Sequence, residues 1–344
     1  MEPTTLQITW FILLFVLLIG YAILDGFDLG VGMLHLTGKT DSERRLGLQA
    51  IGPVWDGNEV WLLTGGGALF AAFPFVYATV FSAMYLALVL VLLALIGRAV
   101  AIEFRSKEES PIWRNTWDVI FFLGSALPSL LFGVAFGNIL RGLPLDQVNG
   151  QLQFTGGFFG LLNPFSVVCG VMSVLLFLQH GAIYLALKSD GPQQERSRKL
   201  AMAFYLLGVV VYAVLTAIAM VSYEHLFRAS LGRPLYWLFL LIVIAGMLSL
   251  PVLVYSRRFG RAMIASSAMI AGMMALAAQS LFPRLVPSTV ALSRSLTVMN
   301  SSSTQYTLGI MLTVALIGMP IVLLYTFFIY RVFKGKTIVH THGY

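Results

Sequence analysis

The chain has 344 residues, 58% of them hydrophobic and 11% charged, with a mean hydropathy of +0.85. That composition excludes a soluble domain and fits a polypeptide that crosses a membrane many times. The formal net charge of +7 does not point to nucleic acid, because the charges fall in short clusters between apolar runs.

Nine apolar runs are long enough to span a hydrocarbon core, which takes about 20 helical residues. They cover roughly 8–33, 51–73, 76–98, 116–140, 164–187, 201–223, 235–255, 262–282 and 307–330. The first basic residue is Lys39, so the first run is predicted to stay as a span and not to be cleaved as a signal peptide. The connections leave no room for a soluble domain; the longest are 141–163 and 283–306. Basic residues set the orientation. With the N-terminus outside, 17 of the 22 Lys and Arg fall in inside loops, and only Arg141, Arg228, Arg233, Arg284 and Arg294 fall outside. The predicted fold class is therefore an all-α integral membrane protein with nine transmembrane helices, N-out and C-in. Its layout is one four-helix bundle over 1–140, an outer connection over 141–163 and a second bundle over 164–282. A further outer connection over 283–306 leads to a peripheral ninth helix with a cytoplasmic tail over 307–344. Pro74, Pro128, Pro164, Pro251 and Pro320 sit at or within span ends, where neighbouring helices can satisfy freed carbonyls. Gly26 with Gly30, and Gly133 with Gly137, are small residues four apart that suit close helix contact. The run Gly65-Gly66-Gly67 reads as close packing too.

Acidic residues stand where lipid should be. A carboxylate at bilayer depth costs about 2.5–3.5 kcal/mol on insertion scales, so several of them imply a purpose. Asp25 and Asp28 share a face in the inner half of the first span. The element Trp55-Asp56-Gly57-Asn58-Glu59-Val60-Trp61 puts Asp56 and Glu59 one to two turns in from the inner surface. Arg98, Glu103 and Lys107 are expected along one side at the inner end of the third span, and Asp118 opens the fourth. These groups converge on the inner half of the first bundle, which assigns function to spans 1–4 and packing to spans 5–8. Two accounts fit the pattern. Carboxylates in low dielectric can hold a proton near neutral pH, which suits a proton route entered at Glu103 and Lys107 and relayed by Asp56, Asp25 and Asp28. Alternatively the acids pair with Arg98, Arg105 or Arg114 and pin helices together.

Of five histidines, His340 and His342 lie in the tail, and His35 and His225 at span ends; only His180 lies well inside, next to Gln179. A single interior histidine reads as a satisfied core residue and not as a haem ligand. The one cysteine, Cys169, excludes an intrachain disulfide and a cysteine-held metal centre. No phosphate loop or nucleophile elbow is present.

The motifs carry a resemblance to a known family. Asp25-Gly26-Phe27-Asp28-Leu29-Gly30, Glu43-Arg44-Arg45 and the Trp55–Trp61 element resemble subunit II of cytochrome bd-type quinol oxidases. So do Phe104-Arg105-Ser106-Lys107, Trp113-Arg114-Asn115 with Trp117-Asp118, Gly133–Asn138 and Leu162-Asn163-Pro164-Phe165. The resemblance runs through the chain, and the first 140 residues are its specific part. It implies nine helices in two bundles plus one, in a bacterial cytoplasmic membrane. It also implies a heterodimer with subunit I, which carries the quinol site and the haems b and d, and no haem ligand on this chain. The complex resembled oxidises quinol and reduces dioxygen to water with protons drawn from the cytoplasm. The family's proton-path acid maps onto Asp56, its entrance onto Glu103 and Lys107, and its first-span acids onto Asp25 and Asp28. Family members often carry Asp where this chain has Glu103. Some hold a structural quinone in this subunit, for which no signature is legible here, and a small single-span accessory subunit is a further candidate partner. The alternatives are a proton-coupled secondary transporter, in which broken helices and repeat symmetry would be expected, and a purely structural partner subunit.

Overall fold

The computed structural model describes residues 2–148, 150–228 and 230–339, so His340 and His342 lie outside the described residues. The helices are α1 (Thr5–Leu34), α2 (Asp41–Ile51), α3 (Trp55–Ala72), α4 (Pro74–Ala83), α5 (Tyr85–Phe104), α6 (Pro111–Arg141), α7 (Pro164–Lys188), α8 (Gly191–Ser222), α9 (Pro234–Tyr255), α10 (Phe259–Leu281) and α11 (Gln305–Val332). Local chemistry starts several of them. Thr4 and Gln7 form a reciprocal capping box on α1, and the Asn163 side chain caps α7 with Pro164 in its first position.

Among the described residues, eight helices are long and apolar enough to cross a membrane: α1 and α5 to α11. The run expected over 51–73 is the exception. It forms the 18-residue α3, whose first turns hold Asp56, Asn58 and Glu59 and lower its apolar character. The preceding segment, expected to be a loop, contains the short amphipathic α2. The run expected over 76–98 divides at Met84, whose φ of −110° and ψ of 19° leave the helical region. Its second part, α5, continues to Phe104. Arg98 is therefore a fully buried residue inside a helix, not a loop charge, while Glu103 and Lys107 are exposed. Arg98 and Glu103 do not share one side of α5, because Arg98 turns inward to a partner, and Lys107 lies past the helix end.

Helix α1 is central and packs on α3, α6, α7 and α10; α11 lies at the edge against α1 and α3. Glycines set the closest crossings. A Cβ on Gly30 would stand 1.9 Å from the Phe177 carbonyl oxygen, and one on Gly133 would stand 2.6 Å from that of Cys169. The backbones of α1 and α6 thus touch that of α7. The Gly65-Gly66-Gly67 run packs within this chain only at its first residue, which is buried against α1. Gly65 makes only ordinary contacts, and Gly66 and Gly67 have nothing within 4 Å, so this part of α3 opens onto the chain's surface.

The two long connections cover one end of the molecule. Strands β1 (Leu145–Val148) and β2 (Gln151–Phe154) pair antiparallel, as do β3 (Arg284–Val286) and β4 (Leu296–Thr297). The two hairpins join through Leu143 N–H to the Pro287 carbonyl (2.9 Å), Thr289 N–H to the Leu143 carbonyl (3.0 Å) and an Arg294–Asp146 ion pair. Leu143, Leu145, Val286 and Val298 are fully buried beneath them. The opposite end carries α2, the α5–α6 turn and the charged groups described next.

Candidate functional site

Three polar layers stack toward the α2 end. The deepest joins α1 to α5. Arg98 donates to Asp25 through Nη1 (2.9 Å) and Nη2 (2.5 Å), and both side chains are fully buried. Glu59 of α3 stands at the rim of this pair, its Oε2 3.7 Å from Arg98 Nη2, with 21% of its side chain exposed. A two-pronged pair of this kind leaves Asp25 fully engaged. Glu59 Oε2 is buried and accepts no hydrogen bond.

One turn along α1, Asp28 faces α3 and α11. Its Oδ2 accepts from Asn58 Nδ2 at 2.7 Å, and Asn58 Oδ1 accepts from the Tyr330 hydroxyl at 3.0 Å. Asn58 Nδ2 also reaches the Leu24 carbonyl at 3.3 Å, which fixes the amide's orientation. The second oxygen of Asp28 is buried without a partner.

The third layer centres on Asp118 of α6. It accepts from Arg105 Nε, Arg44 Nη1 and His35 Nε2, each at 2.5 Å. Arg105 continues to Asp41 at 2.8 Å, which also receives Arg45 at 2.8 Å and Arg114 at 3.4 Å. Burial pushes the Asp41 carboxyl upward, but the hydrogen bonds from Arg45 and Arg105 outweigh it and hold the group below its usual range. With three cationic or polar donors, Asp118 ties α1, α2 and α6 to the end of α5.

Asp56, Glu103 and Lys107 stand apart from these layers. All three are exposed and have no hydrogen-bond or ion-pair partner among the described residues. Trp55 is half-buried in the apolar cluster beside α2. Asp25, Asp28, Asn58, Glu59 and Arg98 thus come together, Asp118 forms a separate knot, and Asp56 is bonded to neither group. Chemically, the carboxylate oxygens of Asp28 and Glu59 that lack donors can accept a proton without breaking an existing bond. In Asp25 and Asp118 both oxygens already accept from cationic donors, so a proton there would weaken an ion pair.

Tyr330, Arg44, Asp41 and His35 join these layers without a sequence signal that assigns them there, whereas Arg105 is among the arginines read as possible partners of the acids. Tyr330 is 272 residues from Asn58, and His35 is 83 from Asp118. In the other half of the chain, His180 Nε2 faces the Ile23 carbonyl at 3.0 Å. A carbonyl only accepts, so Nε2 carries the proton. Nδ1 therefore accepts from the Ser266 hydroxyl (2.7 Å), which in turn accepts from Gln179 (2.9 Å). Both ring nitrogens are engaged, which agrees with a satisfied core histidine joining α1, α7 and α10. Among the described residues no group of three or more His, Cys, Asp or Glu could hold a metal ion.

The family model for cytochrome bd terminal oxidase subunit II matches residues 6–333. The cytochrome bd-I ubiquinol oxidase subunit 2 of Escherichia coli is 40% identical over 363 residues, covering 96% of this chain and 95% of its own. The cytochrome bd ubiquinol oxidase subunit 2 of Bacillus subtilis is 40% identical over 95% of each chain. A chain of the bd oxidase structure from Geobacillus thermodenitrificans superposes with a TM-score of 0.78 at 19% identity, over 96% of this chain and 99% of that one, and so shares the fold.

Proposed function

The chain belongs to the cytochrome bd terminal oxidase subunit II family, and from that premise we propose that it is the non-haem subunit of a complex that oxidises quinol and reduces dioxygen to water. Subunit I of that heterodimer carries the haems b and d and the quinol site. On this chain His180, the one histidine deep in the core, is engaged through both ring nitrogens and so offers neither to a haem. We assign α3 as a ninth span, since 18 residues rise about 27 Å against a core of about 30 Å. The spans then form the two predicted bundles, N-out and C-in, with the α2 end in the cytoplasm of a bacterial inner membrane.

The chain's own contribution is proton uptake and support of subunit I. The observation that carries this reading is Asp56, an unpaired carboxylate exposed at the start of a membrane helix, beside buried carboxylates that can still accept a proton. Lipid would penalise such a group, so its partner lies on another polypeptide. Glu103 and Lys107 form the entrance, Asp56 the transfer point to subunit I, and Glu59 and Asp28 the acids able to load and release. In this reading Asp25 and Asp118 take the pinning role, supported by the Arg98–Asp25 pair and by the bonds from Arg44, Arg105 and His35 to Asp118. A proton-coupled transporter gains no support from polar groups gathered at one end.

Asp56→Asn should lower quinol oxidase turnover about a hundredfold, the lower end for loss of a proton-transfer group, while haem content stays intact. Turnover and the visible spectrum of the purified complex check this together. Unchanged turnover would remove Asp56 from the route; loss of haem or of assembly would assign it a structural role.

A further inference from the structure

A shallow cavity of about 720 Å³ opens at the α2 end between the α7–α8 and α9–α10 turns, far from the carboxylate layers in the chain and in its chemistry. Arg257, Arg258, Arg261 and Lys336 line it against a single acid, Asp190. Lys336 is committed: its ammonium donates to the Ser189 carbonyl at 2.6 Å and lies 3.3 Å from Asp190. Arg257 pairs with Glu195 at 3.1 Å. The side chains of Arg258 and Arg261 are exposed and have no acidic or hydrogen-bond partner among the described residues, and the first turn of α10 contains no acid. Two of the cavity's four cations are therefore left unneutralised.

The turn that presents these arginines is unusual. Helix α9 ends in a Schellman motif, with Arg258 N–H on the Leu253 carbonyl (2.9 Å) and Arg257 N–H on that of Val254 (3.2 Å). The position that calls for left-handed backbone is normally glycine, but here it is Arg257 at φ 56°. An arginine at this site costs free energy that glycine avoids, and its exposed pair with Glu195 recovers little of it. Immediately toward the membrane from the cavity, Val252, Tyr255 and Ile264 are 64%, 80% and 70% exposed. Two free guanidiniums thus sit where charged headgroups meet acyl chains, above an apolar surface.

We propose that this cavity binds the headgroup of an anionic phospholipid, with Arg258 and Arg261 as its phosphate ligands and the α9–α10 apolar face as the acyl-chain surface. Guanidinium suits phosphate because its planar fork matches two oxygens at once. Basic pockets between membrane helices on the cytoplasmic side are the general form of such sites. The inference rests on the membrane-spanning reading above.

The test uses the two-subunit complex purified in mild detergent and titrated with phosphatidylglycerol, phosphatidylcholine or inorganic phosphate under native mass spectrometry. One phosphatidylglycerol should be retained per complex, and R258A/R261A should weaken its binding about 30-fold. K39A/R331A, which removes the same charge from the same end outside the cavity lining, should leave binding unchanged. Unchanged binding in R258A/R261A, equal retention of phosphatidylcholine, or displacement by inorganic phosphate alone would overturn the proposal, the last in favour of a free-phosphate site. If R258A/R261A does not assemble, R258K/R261K keeps the loop charge but removes the forked donors. Binding weakened about threefold or more supports the lipid site, and unchanged binding sinks it. A haem spectrum on every sample keeps the two readings separate: absent lipid binding with intact haem bands counts only against the lipid site, and a wild-type complex without haem counts against the oxidase assignment.

Discussion

Asp25 and Arg98 show how one buried residue dictates another. Each would be intolerable alone at this depth, and together they make a two-pronged pair with no solvent access. Arg98→Met should therefore cost about 3–5 kcal/mol by stranding Asp25, whereas Asp25→Leu combined with Arg98→Met should recover most of that loss. Thermal unfolding of the purified complex distinguishes the variants, and a single variant as stable as wild type would refute the pairing. His180 is the second such residue. Its removal takes the acceptor from the Ser266 hydroxyl proton and the side-chain donor from the Ile23 carbonyl, so His180→Ala should destabilise by about 1–3 kcal/mol. The haem bands should stay unchanged in that variant; a lost band would make His180 a ligand after all.

At the scale of elements, α2 is the clamp of the charged end. Its Glu43 accepts from Arg196 of α8 at 2.6 and 3.0 Å and from the Lys39 amide at 2.6 Å. The Arg196 bonds hold the Glu43 carboxyl below its usual range against a smaller opposing effect of burial. A carboxyl lowered in the folded state stabilises above its unfolded value of about 4.3, and this contribution fades as pH falls through the folded value. Glu43→Gln should thus lower the unfolding temperature modestly at pH 7, by the equivalent of 1 kcal/mol or less for a partly exposed pair. The difference between variant and wild type should shrink as the pH is taken below about 4. A gap that stays constant down to that pH would show that the pair's charge is irrelevant.

For the molecule as a whole, the two ends divide the labour. The paired hairpins close one end with buried Leu143, Leu145 and Val286, and the layered acids and arginines occupy the other. Between them, α3 shows Asp56 at its start and Gly66 and Gly67 on its open side. A small-residue surface in a membrane helix suits close approach by another helix. Gly66→Leu should accordingly leave the stability of this chain nearly unchanged while lowering the yield of assembled complex on gel filtration. A variant that assembles normally would place the subunit I contact elsewhere.

The sequence alone determined the membrane class, the family and which residues bear unusual charge, because hydropathy, basic loops and short motifs are local properties read directly along the chain. It also signalled the close crossings at Gly30 and Gly133 through their spacing. It did not say which neighbour Arg98 turns to, or that Gly66 and Gly67 meet nothing within this chain, because periodicity does not say what a helix face packs against. Only the tertiary structure decided that Asp25 is neutralised by a residue 73 positions away, and that Asp28 keeps an oxygen free while Asp118 does not. The reason is physical: away from water, a polar group's state is set by the partners that packing brings to it, and those partners come from helices far apart in the chain.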